Sequence, residues 1–345
     1  MKRANLCASP RLLFLIFILL ILFDLTIADA STIFIDKLTV LTNRFCYSLG
    51  ATINVYGNLT RKLVGMPSKE NPVTDGLVAV QVEDSFGNLE LIRVVSTGAN
   101  PSSSNPSYSK VKIIEFLSIN SQGNPQNTFN KGSRVLLKIT ITSLEKINAT
   151  IALNLLDSIG VSVGVCEAPL VPLEPGVNFT WVRDVSDLLI ANDAYAGPTT
   201  CTANVLTNRP KNGGYPYCQE SSIKFTIIDE SKTPGSGAVL NNPGPDGSFN
   251  ISFKLPNTAT IGSHNVYVSA RYNAWANASF DYAWLLTDID RNYKVNIQDL
   301  FIVAKAFGSR PGDANWNLKA DVNGDNQVNI VDVYKVARDF GKKRV

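Results

Sequence analysis

From residue 31 to about residue 286, apolar and polar positions alternate in short runs rich in Val, Ile, Thr, Tyr and Phe, broken by Gly, Pro, Asn and Ser. A period of two places successive side chains on opposite faces of a strand, and the breaks have turn chemistry. Residues 109–230 hold seven such runs, at 112–119, 133–143, 148–155, 161–165, 177–182, 199–206 and 222–228. Seven short strands at this spacing predict an Ig-like sandwich. The Cys-Trp-Cys arrangement of antibody domains is missing, because Trp181 does not stand between suitably spaced cysteines. Residues 33–98 give four more runs (33–40, 51–56, 77–83, 89–95) and residues 247–286 give three (248–255, 264–270, 276–284). Neither piece fills a sandwich alone, their sum is again seven, and the joints at 100–109 and 230–247 are rich in Pro, Gly, Ser and Asn. The expectation is a mainly β chain of two Ig-like β-sandwiches. The first would be built from 31–108 and 231–286, with 109–230 inserted into it; three sandwiches in series is the alternative.

Beyond residue 287 the period changes. Ile297, Leu300, Ala304 and Phe307 recur at helical spacing, as do Ile330, Val333, Ala337 and Phe340. Each series ends on a glycine, Gly308 or Gly341, the residue that left-handed helix caps prefer. Neither stripe can be buried alone, so a small α-helical module over 287–345 is expected, its two helices packed about a pseudo-twofold.

The opposite end reads as an address. Lys2, Arg3 and Arg11 precede twelve apolar residues, 12–23, and Ala28-Asp29-Ala30 follows as a small-x-small cleavage signal. This predicts a secretory signal peptide over 1–30. A twelve-residue helix reaches roughly 18 Å, short of the ~30 Å hydrocarbon core, and no second apolar stretch of membrane length occurs. Export would place Cys46, Cys166, Cys201 and Cys218 in an oxidising compartment, where four cysteines can pair in three ways. Cys201 and Cys218 flank one predicted hairpin and are the expected disulfide. Five sequons, at Asn58, Asn148, Asn178, Asn250 and Asn277, become glycosylation candidates.

Charge narrows the function classes. The 345 residues carry 32 basic and 29 acidic side chains, a net +3. Residues 1–30 account for +1 of it (three basic, two acidic), leaving +2. No basic stripe stands out, which argues against nucleic acid as a partner. A single histidine, His264, must serve any Ser-His-Asp, Cys-His or His-metal system, and it opens a strand as a surface or half-buried residue. Tyr215, Tyr217, Trp275 and Trp284 could stack on sugar rings, although packing explains strand aromatics more simply. Glu83 with Asp84, and Asp229 with Glu230, are adjacent at strand ends and read as solvated turn residues. Glycoside hydrolysis needs carboxylates about 5 to 9.5 Å apart across a substrate. No catalytic constellation emerges.

One chemical signal is specific. Residues 288–308 align with 321–341 at a period of thirty-three, with nine of twenty-one positions identical. In both copies Asp or Asn stands at places one, three, five, nine and twelve: Asp288, Asp290, Asn292, Asn296 and Asp299, then Asp321, Asn323, Asp325, Asn329 and Asp332. That is the oxygen-ligand spacing of an EF-hand Ca²⁺ loop, in which alternate residues point inward and place seven gives a backbone carbonyl. Lys294 and Gln327 fill place seven and would coordinate through the main chain. Three carboxylates per loop and no Cys or His favour Ca²⁺ over zinc or other transition metals. Six of the eight acidic residues in 287–345 stand at ligand places, a concentration that a merely solvated surface does not require. Place six, usually Gly, is Tyr293 in the first copy and Asn326 in the second. Asn tolerates left-handed backbone better than Tyr, so the first of two Ca²⁺ sites should be the weaker.

This paired loop–helix pattern resembles the dockerin type I module. The resemblance implies Ca²⁺-dependent folding, the residues above as ligands, and docking onto a cohesin-like or other surface protein; polysaccharide is a second candidate partner. Places ten and eleven, often Ser-Thr in that family, are here Ile297-Gln298 and Ile330-Val331. The stretches 47–57 and 255–268 resemble the first and last strands of macroglobulin-like sandwiches. The reading is a secreted or cell-surface, non-catalytic adhesive or scaffold-associated protein. Its alternative is an accessory component or enzyme of extracellular polysaccharide degradation, attached through the dockerin.

Overall fold

The computed structural model describes residues 34–63, 70–98, 110–131, 133–189, 194–229, 247–283 and 285–343. The predicted leader, nearly all of both predicted joints, and Trp284 lie outside the described residues.

Before the first joint run β1 (Phe34–Leu38), β2 (Leu41–Thr42), β3 (Cys46–Ser48), β4 (Ile53–Leu63), β5 (Asn71–Pro72), β6 (Leu77–Glu83) and β7 (Leu89–Ser96). Between the joints lie β8 (Val111–Ile119), β9 (Thr128–Asn130), β10 (Arg134–Ser143), β11 (Ile147–Leu156), β12 (Ser162–Leu173), β13 (Phe179–Leu189), β14 (Gly197–Leu206) and β15 (Ser221–Ile228). After the second joint come β16 (Ser248–Phe253), β17 (Gly262–Ala270) and β18 (Ala274–Ala283).

The outer segments form two sheets together. β4 pairs antiparallel with β1 and with β16, and the facing sheet runs β3-β18-β17-β6-β7. Here β17 lies beside β6, with Tyr267 opposite Gln81 and Val268 opposite Val80. Alternation explains the core between the sheets. Ile53, Val55 and Leu59 point inward from β4 to meet Phe249, Ile251 and Phe253 of β16, with Val80, Val82, Val266 and Phe280 opposite. Gly57 interrupts that series because a Cβ there would lie 1.8 Å from the Thr39 carbonyl oxygen. The segment between the joints closes a second sandwich, with β13-β10-β8 facing β12-β11-β14-β15-β9 over Val135, Leu137, Ile139, Ile151, Leu153 and Val205.

The predicted strands 161–165 and 177–182 extend much further, to Leu173 and Leu189. β6 is buried at all seven positions, without alternation. Its outer face and that of β7 carry Leu77, Ala79, Ile92 and Val94, which pack on Ala152 and Leu206 of the second sandwich. Several polar groups in this seam are paired, although Arg93 Nη1 and Asn204 Oδ1 are buried without a hydrogen-bond partner. Arg93 holds Glu220 through two bonds of 2.6 Å, and the Asn154 side chain accepts from the Ile92 amide at 2.8 Å while donating to the Ile92 carbonyl.

Several expectations fail at this level. Glu83 and Asp84 are buried, not solvated: Glu83 pairs with Lys211 at 2.7 Å, and Asp84 accepts from the Phe86 and Asn88 amides. His264 is fully buried, stacked on Phe280 with centroids 5.2 Å apart, and burial lowers its pKa. It is a core side chain. Cys201 and Cys218 are not joined. Both are buried in the second core, and burial drives the Cys201 thiol well above its ordinary pKa and the Cys218 thiol to about 12, which leaves them protonated and unreactive. All five sequon asparagines are exposed.

Past residue 285 stand two helices, α1 (Ile297–Ala306) and α2 (Ile330–Arg338). They are related by a twofold pattern of backbone bonds. Val328 accepts from Gly308 and donates to Ser309, just after α1; Val295 accepts from Gly341 and donates to Lys342, just after α2. The expected core stripe is displaced by about one residue. Ile297, Phe307, Ile330 and Phe340 are more than half exposed, and Ala304 and Ala337 are exposed too. The module core is instead Ile289, Val295, Val303, Ala306, Ala320, Val322, Val328 and Val336, with Leu300 and Val333 half-buried against it. The displacement follows from the helix starts: the carboxylates at place twelve, Asp299 and Asp332, take an inward position in the first turn and rotate the tenth-place isoleucines outward.

Candidate metal centre

Two loops, 288–299 and 321–332, precede the two helices, and local hydrogen bonds wrap each around its first residue. Asp288 accepts from the Asn292 amide at 3.1 Å and the Tyr293 amide at 2.9 Å. Asp321 accepts from Gly324, Asp325 and Asn326 at 2.8, 3.1 and 2.8 Å. Place nine doubles as the helix N-cap: Asn296 accepts from Gln298 at 2.8 Å and Asn329 from Val331 at 2.7 Å. Place twelve completes a capping box, since Asp299 and Asp332 each accept from the amide of that asparagine at 2.8 Å. The same carboxylates reach back across the loops, to the Ile289 and Asp290 amides and to the Asn323 amide.

The ligand spacing therefore becomes a convergence of oxygens. One carboxylate oxygen from each of Asp288, Asp290 and Asp299 lies within 4.8 Å of the other two, with Asp288 and Asp299 buried. Three like charges so close, two of them desolvated, are held apart from water only at a cost that a cation would remove. In the second loop, burial pushes the Asp321 carboxyl above the ordinary range despite its three amide donors. Every converging donor is a hard oxygen, which fits Ca²⁺. At place seven the Lys294 side chain is exposed, and the carbonyls of Lys294 and Gln327 accept from the side-chain amides of Asn296 at 3.2 Å and Asn329 at 3.4 Å.

Backbone conformation separates the loops. Tyr293 and Asn326 are left-handed, at φ 65° and 64°. Place four is left-handed as well, Gly324 at φ 74° in the second loop and Arg291 at φ 61° in the first. The first loop thus carries two side chains, Arg and Tyr, where left-handed backbone costs each roughly 1 kcal/mol. Arg291 was not singled out from sequence, although its alignment opposite Gly324 carried the signal.

Residues 286–340 match the family model of the dockerin type I domain, so the C-terminus is a dockerin module, a docking unit of a kind that binds calcium. A comparison with curated proteins returns no match. Among solved structures, a type II cohesin–X-dockerin complex from Acetivibrio cellulolyticus is 23% identical, over 28% of this chain and 70% of that one, at a TM-score of 0.16. A tetra-tandem repeat in the extending region of a large adhesion protein is 15% identical, over 72% and 75%, at 0.20. Salmonella α-2-macroglobulin is 10% identical over 72% of this chain, at 0.20, and the matched region spans about a quarter (23%) of its length. At scores this low none of these establishes a shared fold.

Proposed function

We propose that the protein is an exported, non-catalytic surface or scaffold-associated protein, a β-sandwich body joined to a calcium-dependent docking module. The observation that carries this reading is the repeated loop–helix unit, with the carboxylates of its first loop converging within 4.8 Å. The ligands are Asp288, Asp290, Asn292, Asn296 and Asp299 in one loop and Asp321, Asn323, Asp325, Asn329 and Asp332 in the other, with the carbonyls of Lys294 and Gln327 at place seven. Residues 109–230 are an inserted domain, and residues 1–30 a removable leader that accounts for export and for glycosylation at the exposed sequons. The docking surface is the repeated apolar face left bare at both helices, Ile297 and Phe301 in α1 with Phe307 just after it, and Ile330 and Tyr334 in α2 with Phe340 just after it. Bare aliphatic and aromatic groups at places ten and fourteen suit an apolar pocket on a cohesin-like partner better than a hydroxyl-rich one.

Calorimetric titration of the full chain with Ca²⁺, followed by binding to immobilised cohesin modules with and without chelator, tests the reading. Two bound ions and chelator-sensitive capture are expected; no calcium uptake overturns it. A second reading, an accessory of polysaccharide degradation, draws on the exposed Trp275, which is 44% accessible. Retention of the full chain on insoluble polysaccharide, lost in Trp275→Ala, would favour it.

A further inference from the structure

The dockerin module does not hang free of the body. Only four residues, 284–287, separate β18 from Asp288, and the calcium loops, not the bare helix faces, turn toward the first sandwich. Arg291, at place four of the first loop, forms an ion pair with Asp281 of β18, whose side chain is only 6% exposed. The amide of Asp281 is tied at 2.7 Å to the carbonyl of Phe45, and Asp281 lies beside Cys46 of β3. Lys319, two residues before the second loop, holds its ammonium 5.9 Å from the centre of the Phe45 ring. A cavity of about 120 Å³ lies between 43–46 and the second loop, with Asp321, Gly324 and Asn326 on its wall.

We infer that the first sandwich is an intramolecular partner of the calcium loops, with Asp281 a positioning residue that holds Arg291 in the backbone conformation the first site requires. The inference rests on the two loops being calcium sites. Arg291 is the one place-four residue that must be forced into left-handed backbone, since its counterpart is Gly324. Between ligands Asp288 and Asp290 on one side and Asn292 on the other, place four points its side chain away from the cage. The ion pair with Asp281 anchors that outward side chain and so selects the loop conformation in which the ligands converge. Selection of one conformation by two contacts makes them reciprocal: the sandwich tightens calcium at the first loop, and calcium tightens the module against the sandwich.

Cys46 reports on the contact. It is half-buried, its thiol is pushed up to about 11 by burial, and Arg291 and Lys319 are the cationic groups nearest to it, whereas Cys166, Cys201 and Cys218 are buried in the second sandwich. The experiment uses the full chain with Ca²⁺ as the probe, and the fifth cysteine, Cys7 within residues 1–30, is replaced by Ser so that it does not report. Cys46 modification by a thiol reagent and calcium affinity by calorimetry are both read. Calcium should slow Cys46 modification about tenfold. Asp281→Ala should abolish most of that protection and weaken one of the two sites about fivefold, leaving the other unchanged. Arg291→Ala should do the same. Arg291→Gly should lose the protection yet keep the affinity, because glycine takes left-handed backbone without an anchor. If Asp281→Ala and Arg291→Ala keep two wild-type affinities and full protection, the inference falls while the calcium reading stands. If the parent chain takes up no calcium, the calcium reading falls first.

Discussion

The molecule contains two seams, each centred on an arginine–carboxylate pair, and they are built differently. Between the sandwiches, Arg93 is 1% exposed and Glu220 12%, the pair is bidentate, and the same seam carries an apolar layer from β6, β7, β11 and β14. Between the first sandwich and the dockerin module, Arg291 is 24% exposed, and its neighbours are a cation–ring contact and a small cavity rather than an apolar layer. In the first pair the arginine is the desolvated member, and in the second it is the carboxylate, Asp281 at 6% exposure, while Arg291 keeps access to water. The first seam therefore fuses two sandwiches into one unit. The second rests on one ion pair, one cation–ring approach and a small cavity.

The strongest attempt to break this contrast is Arg93→Ala, which leaves Glu220 buried without its partner. Removing one member of a buried pair costs roughly 3–5 kcal/mol. The sandwich melting transition should fall by about 10 °C, and it should remain a single transition. Two separated transitions for the β-sandwich body, seen by calorimetry, would show that the seam does not fuse them. Calcium removal comes next. At a hundredfold excess over Kd, a bound ion contributes about 2.7 kcal/mol to whatever binds it. Chelator, or Asp321→Ala with Asp332→Ala, should therefore lower the module transition and leave the sandwich transition in place. A common shift of both transitions would mean that the second seam is as tight as the first.

How far each region could be read from sequence follows the same division. The two Asp/Asn loops were legible because their geometry is set by the local turn: the oxygens of Asp288 and Asp321 accept from amides within five residues. β4 was legible because one of its faces meets a core and the other meets solvent. β6 was legible as a strand but not as a seam, since Leu77–Glu83 loses alternation only through contact with a distant segment. Glu83 was misread for the same reason, its partner Lys211 being 128 residues away, and Asp84 adds a distant hydroxyl, Thr260 at 176 residues, to its local amide donors. The helix stripe was displaced because its largest apolar residues, Ile297 and Phe307 among them, face outward. Hydrophobic periodicity finds an apolar face but does not say whether the chain itself or a partner covers it. The pair of Arg291 with Asp281 had no local signature beyond the missing glycine.

The smallest effect tests the first seam through a proton. Glu90, on β7, has its backbone carbonyl hydrogen-bonded by Ser162 of the second sandwich at 2.7 Å. Burial, reinforced by the charge of Asp84, pushes its carboxyl up to about 7. The folded chain thus holds this proton more tightly than the unfolded chain, whose glutamate titrates near ~4.3. Stability from this group is complete below about pH 4, declines as pH rises toward about 7, and is flat above. Glu90→Gln mimics the protonated side chain and should leave stability unchanged at pH 4. At pH 8 it should raise stability by about 1 kcal/mol, because water reaching the half-buried side chain removes much of the full shift. Denaturant melts of the two proteins at both pH values measure the difference. Equal gains at pH 4 and pH 8 would mean that Glu90 is not desolvated by the neighbouring sandwich, and the contrast between a dry first seam and a wet second one would lose one of its supports.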